Sequence, residues 1–227
     1  MTGFLPKRTS IRATGLFALL VTLGLVACSS AEPFRGTVLT SENAASPFEL
    51  SNQFGEPVSL ADRIGQPVVL TFLYTNCPDV CPLTTSLIRD VHEMLGDDAD
   101  DVAILAVSVD PERDTEQAAL DYSERWRMTR NWDFLVGQRE RLTDIWKAYF
   151  VAASVDETSH TAQATGAGGG LAQDSVKGLS QATEGGYLVS HSAPVYLIDQ
   201  EGIMRVLFTL PFEAEDLAHD IRLLLEG

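Results

Sequence analysis

Cysteine, histidine and basic residues are scarce in this sequence. Among 227 residues there are 3 cysteines and 4 histidines, so a disulfide or a soft metal site can draw on few side chains. Lysine and arginine number 16 against 32 aspartates and glutamates, and such an acidic chain is poorly suited to bind nucleic acid. No internal repeat is visible, which excludes the stacked repeat architectures. The length fits one domain with a sizeable core.

The first 27 residues have the composition of a targeting segment. They contain three basic residues, an apolar stretch from Leu16 to Ala27 and no acidic residue. This pattern predicts a signal peptide, since the apolar stretch is shorter than the ~20 residues that a membrane-spanning helix needs. The stretch ends in Leu25-Val26-Ala27-Cys28, which resembles the lipobox of bacterial lipoproteins. That resemblance implies cleavage before Cys28, a lipid anchor at Cys28, and a location in the bacterial cell envelope on the extracytoplasmic face of a membrane.

The rest of the chain divides into a tether, a domain and one segment of low complexity. Residues 28–46 are small, polar and aperiodic, with room for a short strand near Thr37–Leu39, and we expect them to form a flexible tether. The domain is expected to occupy residues 47–227. Between residues 152 and 186 the composition collapses to small and polar residues, which predicts a mobile insertion within that domain.

The pattern of apolar residues predicts alternating strands and helices. Short alternating runs around Asn52–Gly55 indicate a β-hairpin. Helices are expected between the buried strands and at the C-terminus, and the strands themselves are predicted near Val68–Tyr74, Val102–Val109, Phe134–Val136 and Val195–Ile198. The chain is therefore predicted to be an α/β protein with an N-terminal β-hairpin and a central mixed sheet flanked by helices.

The helix after the first central strand is expected to be amphipathic and to begin after Pro82. Its apolar residues recur at helical spacing, and the stripe that should face the sheet consists of Leu83, Leu87, Val91 and Leu95. The acidic run 96–101 that follows is expected to end the helix and form a solvated loop.

Cys77 and Cys81 lie at the junction between that strand and that helix. The carboxyl end of a central strand is where α/β sheets place their functional sites. Backbone N–H groups and the helix dipole at this junction are expected to lower the pKa of both thiols. If the loop is helical, residues four apart project from one face and can share a metal ion or close a disulfide. Four chemistries stay open: a structural disulfide, a redox-active dithiol, a peroxidatic thiol and a metal site.

The spacing of the two cysteines, and the number of ligands they supply, favour some of these chemistries over others. A purely structural bridge is disfavoured, because closing so short a loop constrains the unfolded chain little. Redox pairs are usually separated by two residues, whereas three separate Cys77 from Cys81. A metal site held by two thiolates needs a third ligand, for which imidazole is the natural choice.

One of the four histidines has a plausible path to both sulfurs. His92 and His219 lie on predicted helices beside acidic residues and are expected to be exposed, and His160 lies in the segment of low complexity. His191 precedes the apolar strand Val195–Ile198, in a short loop that can face the end of the cysteine strand. Two thiolates and one imidazole suit Cu(I) best, whereas zinc would ordinarily take a fourth ligand.

Three motifs occur in a characteristic order: TNCPDVCP, VSVDPERDT and HSAPVYLID. Together they resemble the Sco/SenC family of thioredoxin-like copper proteins, which assist the assembly of cytochrome c oxidase. The resemblance covers the region from Pro47 to the C-terminus apart from the insertion. It implies that Cys77, Cys81 and His191 bind copper as Cu(I) or Cu(II), and that the two cysteines form a disulfide when oxidised. Asp110 in the second motif is implied to orient the site or a partner, although an aspartate before a proline also fits a simple turn.

The resemblance also implies partners. The copper would go to the copper-accepting subunit of cytochrome c oxidase, for its dinuclear copper centre, and the chain would need a copper donor and a thiol reductant. An alternative function is that of a thiol–disulfide oxidoreductase, in which Cys77 and Cys81 reduce partner cysteines without metal. A thiol peroxidase is a third hypothesis. The sequence leaves open whether the chain is an enzyme.

Overall fold

The computed structural model describes residues 33–40, 43–156, 188–191 and 193–227, together with Gly3. The predicted signal peptide, Cys28 and His160 lie outside the described residues, as does most of the predicted insertion. One compact unit runs from Phe34 to Gly227. None of the described helices is both long and apolar enough to cross a membrane.

Strands and helices alternate along the described part of the chain. The strands are β1 Thr37–Val38, β2 Glu49–Ser51, β3 Pro57–Ser59, β4 Val68–Leu73, β5 Ala103–Ser108, β6 Asp133–Leu135, β7 Ala153–Asp156, β8 Leu188–His191, β9 Val195–Ile198 and β10 Met204–Phe208. The α-helices are α1 Val80–Leu95, α2 Glu116–Trp126, α3 Arg139–Ala148 and α4 Ala214–Glu226. Short 3-10 helices cover Leu60–Arg63 and Gly96–Asp101.

The central sheet is mixed, as predicted. Its six strands lie in the order β1-β10-β9-β4-β5-β6. β4, β5 and β6 run parallel, whereas β9 is antiparallel to β4, and β10 is antiparallel to β9 and β1. Every residue of β4 and β5 is buried, which is why both strands read as continuous apolar runs. Helices flank the sheet, with α1 packed against α4 and α2 against β6.

The predicted N-terminal hairpin is present as β2 and β3. Backbone hydrogen bonds between Ser51 and Val136, together with the buried side-chain amide of Gln53, attach it to the edge of the sheet at β6. The side chain of Gln53 donates hydrogen bonds to the backbone carbonyls of Thr129 at 3.1 Å and Trp132 at 3.0 Å. It also accepts a hydrogen bond of 2.7 Å from the backbone N–H of Phe134. Gln53 therefore satisfies backbone groups of β6 and of the loop before it, much as a neighbouring strand would.

The segment before the hairpin is part of the fold. The buried carboxylate of Asp220 in α4 accepts hydrogen bonds from the backbone N–H groups of Arg35 at 2.8 Å and Gly36 at 2.9 Å. β1 lies where a short strand was predicted, and it pairs with β10. The compact unit thus begins at Phe34, upstream of the start expected at Pro47. Hydrogen bonds and the separated apolar residues Phe34, Leu39 and Ala45 hold this segment against the core. Because these residues follow no helix or strand period, the sequence of the segment resembles a tether.

Helix α1 differs from its prediction in start and in buried face. It begins at Val80, before Pro82, and Leu83 is 51% exposed instead of facing the sheet. Thr84 and Thr85 are buried because their hydroxyls bond to the Val80 carbonyl and the Tyr122 hydroxyl. The full set of buried residues is Cys81, Thr84, Thr85, Ile88, Val91 and Leu95. The run 96–101, expected to be a loop, is a 3-10 helix.

Candidate metal centre

The loop between β4 and α1 brings Cys77 close to the first turn of the helix. Cys77 is 9% exposed and Cys81 is fully buried. The backbone N–H of Cys81 donates to the sulfur of Cys77 across 3.4 Å. Asp79 stands at the N-cap but makes no side-chain capping bond, so the Cys77 sulfur accepts one of the N–H groups that a helix start leaves unpaired. The two cysteines are present as thiols at the amino end of α1.

The electrostatics of Cys81 differ from the expectation. Burial raises the pKa of the Cys81 thiol, and its hydrogen bond with Cys77 and the charges of Cys77 and Asp114 raise it further. The expected lowering by the helix start is wrong for Cys81, because loss of hydration outweighs the helix dipole once the sulfur is fully enclosed. A soft cation that binds Cys81 must therefore displace its proton, and its affinity should rise with pH.

His191 is the last residue of β8, whereas the sequence predicted that it lies in a loop. Its backbone pairs with Ala153 in β7, so the first residues of the predicted insertion form an ordered strand. The backbone N–H of Val189, two residues earlier on β8, lies 3.4 Å from the hydroxyl of Tyr74, which follows β4. The strand that carries His191 is thereby held to the chain that leads into the cysteine loop. The side chain of His191 lies outside the described part of the structure.

The remaining described histidines are set apart from the cysteine loop along the chain. His92 in α1 and His219 in α4 are both partly buried, rather than exposed as expected. The described side chains, which do not include that of His191, contain no group of three His, Cys, Asp or Glu arranged to hold a metal ion. Among these side chains the thiols of Cys77 and Cys81 are the soft donors that the structure places together.

Asp110 is buried beneath the site. Its carboxylate pairs with the guanidinium of Arg113, which lies 5.7 Å from the centre of the Tyr74 ring. The side chain of Asp110 is 1% exposed, so it is more than the solvent-exposed turn residue that an Asp-Pro pair often provides. Its predicted role in orienting the site stays a prediction, with Arg113 and Tyr74 as the connecting residues.

Asp114 is a residue that sequence reasoning missed. Its carboxylate accepts hydrogen bonds from the backbone N–H and the hydroxyl of Thr75, at 3.0 and 2.7 Å, and from the Ser108 hydroxyl at 2.6 Å. Thr75 stands two residues before Cys77, so Asp114 fixes the start of the cysteine loop. Its sequence signal is the second aspartate of the VSVDPERDT motif, whereas sequence reasoning considered only the first, Asp110.

Asp114 should make stability depend on pH. Burial raises the pKa of this carboxyl from 3.8 to about 6, although the bonds from Ser108 and Thr75 oppose the rise. Because the folded-state pKa is the higher one, the stabilising contribution of the acid is complete below pH ~4 and is lost as the pH rises through about 6. We expect the free energy of unfolding of the wild type, relative to Asp114→Asn, to fall by about 2 kcal/mol between pH 4 and 7.

Denaturant unfolding of both proteins across this pH range tests the prediction. Asp144→Asn is the matched control, since the side chain of Asp144 is 82% exposed and its loss should leave the profile unchanged. Parallel stability profiles for the wild type and Asp114→Asn would contradict the prediction.

Comparison with known proteins places this arrangement in a family. The SCO1/SenC family model matches residues 37–168, more than half of the chain. The SCO1 protein homolog of Bacillus subtilis is 28% identical over 192 residues, which cover 83% of this chain and 83% of that protein.

Solved structures agree with the family match. The structure of Bradyrhizobium japonicum ScoI with copper bound is 28% identical, with a TM-score of 0.64 over 80% of this chain and 99% of that chain. BsSco, a member of the Sco family of cytochrome c oxidase assembly proteins in which a disulfide switch was identified, is 23% identical. Its TM-score is 0.58, with 83% of this chain and 97% of that chain covered, which shows a shared fold. The predicted thioredoxin-like fold is confirmed, and the chain belongs to the SCO1/SenC family.

Proposed function

We propose that this chain is a copper chaperone that binds one copper ion through Cys77, Cys81 and His191. It carries the metal as Cu(I) or Cu(II) to the copper-accepting subunit of cytochrome c oxidase, for assembly of the dinuclear copper centre. The proposal depends mainly on one observation: the thiols of Cys77 and Cys81 lie close together at the amino end of α1, next to the strand that ends in His191.

The chemistry of the site supports copper as cargo. Thiolates select soft ions such as Cu(I), and a single imidazole completes a low-coordinate site. ScoI of Bradyrhizobium japonicum, to which the chain is similar along most of its length, has been solved with copper bound. Release of the two thiol protons accompanies binding, so the site opposes uptake of metal at low pH.

A lipid on Cys28 would hold the domain at the extracytoplasmic face of a membrane in the bacterial cell envelope. The polar residues after Cys28 would give the domain reach from that membrane, up to the ordered segment that begins at Phe34. An oxidase subunit in the same membrane is then met at high effective concentration. A donor must supply copper to the domain, and a thiol reductant must keep Cys77 and Cys81 reduced.

Thiol–disulfide exchange is the second candidate function. It is favoured by the proximity of the Cys77 sulfur to Cys81, and by the disulfide switch identified in BsSco, which shares the fold. In that reaction the two thiols lose two electrons and two protons and form the Cys77–Cys81 disulfide, while a partner disulfide is reduced to two thiols. Oxidation would also release copper, so the same pair links both functions.

His191→Ala separates the two functions. Without the imidazole we expect Cu(I) affinity to fall about a hundredfold, as for a site that loses one of three ligands, whereas the reaction of the thiols with oxidised glutathione should change little. The measurement is an anaerobic titration of the reduced chain with Cu(I) against a competing chelator. His92→Ala is the matched control, because His92 lies within α1.

Two results would count against copper delivery through this site. Unchanged affinity in His191→Ala would remove His191 from the ligand set. Weak Cu(I) binding by the wild type itself, together with rapid thiol exchange, would favour the oxidoreductase.

A further inference from the structure

We propose that the hydroxyl of Tyr74 is a positioning group that ties the Cys77 sulfur to the strand of His191. The proposal rests on the proposed function, since it concerns the placing of two of the three copper ligands. Tyr74 itself is not a ligand in this proposal. It sets where the first thiol and the histidine strand stand relative to each other.

The Tyr74 hydroxyl can accept one hydrogen bond and donate another, and its two neighbours fix which is which. The backbone N–H of Val189 donates to the Tyr74 oxygen across 3.4 Å. Burial raises the pKa of Tyr74, and Cys77, whose backbone N–H bonds to the Tyr74 carbonyl at 3.3 Å, brings its side chain close enough to interact with the same hydroxyl and to raise that pKa further. A phenol has one proton to give and can accept as well. With Val189 as donor to its oxygen, Tyr74 directs its own proton to the Cys77 sulfur. One hydroxyl therefore joins the cysteine loop to β8.

The ring that carries this hydroxyl is held firmly. Tyr74 is 2% exposed, so its ring is packed on nearly all sides. The guanidinium of Arg113 lies 5.7 Å from the ring centre and is itself paired with the buried carboxylate of Asp110. A cation over the aromatic face adds attraction to the packing. The hydroxyl thus has little freedom to leave the Cys77 sulfur.

A hydrogen bond to the sulfur should act mainly on the reduced pair. A thiolate or thiol accepts a stronger bond than a disulfide sulfur, so the Tyr74 hydroxyl stabilises the dithiol relative to the disulfide. In the metal-bound form the hydroxyl would act on a ligand atom, and groups that bond to metal ligands typically change metal affinity by 10- to 100-fold. Tyr74 would thus keep Cys77 ready for copper and hold β8 beside it.

Tyr122 supplies a matched control. It is also 2% exposed. Burial raises its pKa, and it lies close enough to Cys81 and Cys77 for their charges to raise that pKa further. Its hydroxyl, however, lies 2.9 Å from the hydroxyl of Thr85 and is engaged there. Removing the oxygen of Tyr122 therefore deletes a buried hydroxyl near the cysteines without deleting the bond between Tyr74 and Cys77.

The test compares Tyr74→Phe with Tyr122→Phe in the full chain. The first measurement is the equilibrium with glutathione, in which one oxidised glutathione becomes two reduced molecules as the protein disulfide forms. We expect Tyr74→Phe to shift it about tenfold toward the disulfide, a reduction potential about 30 mV more negative. The second is hydrogen exchange of the Val189 amide, which should become at least several-fold faster. Tyr122→Phe should leave both values near those of the wild type.

Copper affinity completes the test. In Cu(I) titrations, Tyr74→Phe should lower the affinity of the wild type about tenfold. In a protein that already carries His191→Ala, the same substitution should lower the affinity less than threefold, because both changes disturb the same arrangement of ligands. An undiminished loss in the His191→Ala background would overturn the link to β8. Equal glutathione and amide-exchange values for Tyr74→Phe and Tyr122→Phe would overturn the proposal entirely. The glutathione and amide-exchange measurements need no metal, so they test the role of Tyr74 even if the wild type binds no copper.

Discussion

Serine in place of either Cys77 or Cys81 is expected to lower Cu(I) affinity about five-hundredfold. Binding to structural metal sites with four ligands is worth roughly 10–16 kcal/mol, or about 2.5–4 kcal/mol for each ligand, and each tenfold change in affinity is about 1.4 kcal/mol. A serine hydroxyl is harder than a thiolate and stays protonated at neutral pH, so it cannot replace the sulfur for a soft ion. The loss should exceed that of His191→Ala, because thiolates carry the selectivity for Cu(I).

The fold should survive both substitutions. A serine at position 77 keeps an oxygen that can accept the N–H of Cys81, which now donates to the sulfur. At position 81, which is fully buried, a hydroxyl can bond within its own helix, and we expect a cost of about 1 kcal/mol. Thr85→Ser is the matched control, since Thr85 is a buried residue on the same helix. Chelator titrations with parallel unfolding curves provide the measurement, and tight Cu(I) binding by either serine variant would contradict the ligand assignment.

Gln53→Ala is expected to lower the free energy of unfolding by about 4 kcal/mol, since each buried polar group left without a partner costs about 1–3 kcal/mol. The change would leave three backbone groups near β6 unsatisfied: the carbonyls of Thr129 and Trp132 and the N–H of Phe134. Water can reach such a surface only if the hairpin moves away from it. Copper affinity should be nearly unchanged in the folded protein, because these contacts do not involve the cysteine loop.

Chemical denaturation of Gln53→Ala and Gln117→Ala would measure this difference. Gln117 is the matched control, because it is exposed on α2 and its amide bonds to Asp121 one turn away, so its loss should cost below about 0.5 kcal/mol. Similar midpoints for the two variants would show that the hairpin does not depend on the Gln53 amide.

The sequence predicts the apolar framework of this fold better than its polar contacts. β4 and β5 could be located because buried parallel strands are continuous apolar runs. The buried face of α1 could not, because Thr84 and Thr85 enter the core through hydroxyl bonds that a hydrophobic pattern does not record. Gln53 likewise looks like a residue of a solvated turn, and only the structure shows that it is 2% exposed.

The candidate site also has parts that the sequence predicts and parts that only the structure shows. The pairing of Cys77 with Cys81 follows from their position between a strand and a helix. His191 could be singled out among the histidines by its place before the strand Val195–Ile198, and the family resemblance implied that it is a ligand. The roles of Asp114 and Tyr74 could not be predicted, although Asp114 lies in a motif, because these roles come from contacts with Thr75 and Val189 that are distant in sequence. Hydrogen bonds between such segments have no local signature, so they emerge only with the tertiary structure.

The two edges of the central sheet bear on how the protein behaves when it is crowded. Exposed edge strands invite pairing between molecules and hence aggregation. Here one edge, β1, has only two residues, and the other, β6, has three and is capped by the Gln53 amide. Anchoring to a membrane would concentrate copies of the domain in two dimensions. Short and occupied edges would let neighbouring copies collide without joining their sheets, so that each domain remains separate.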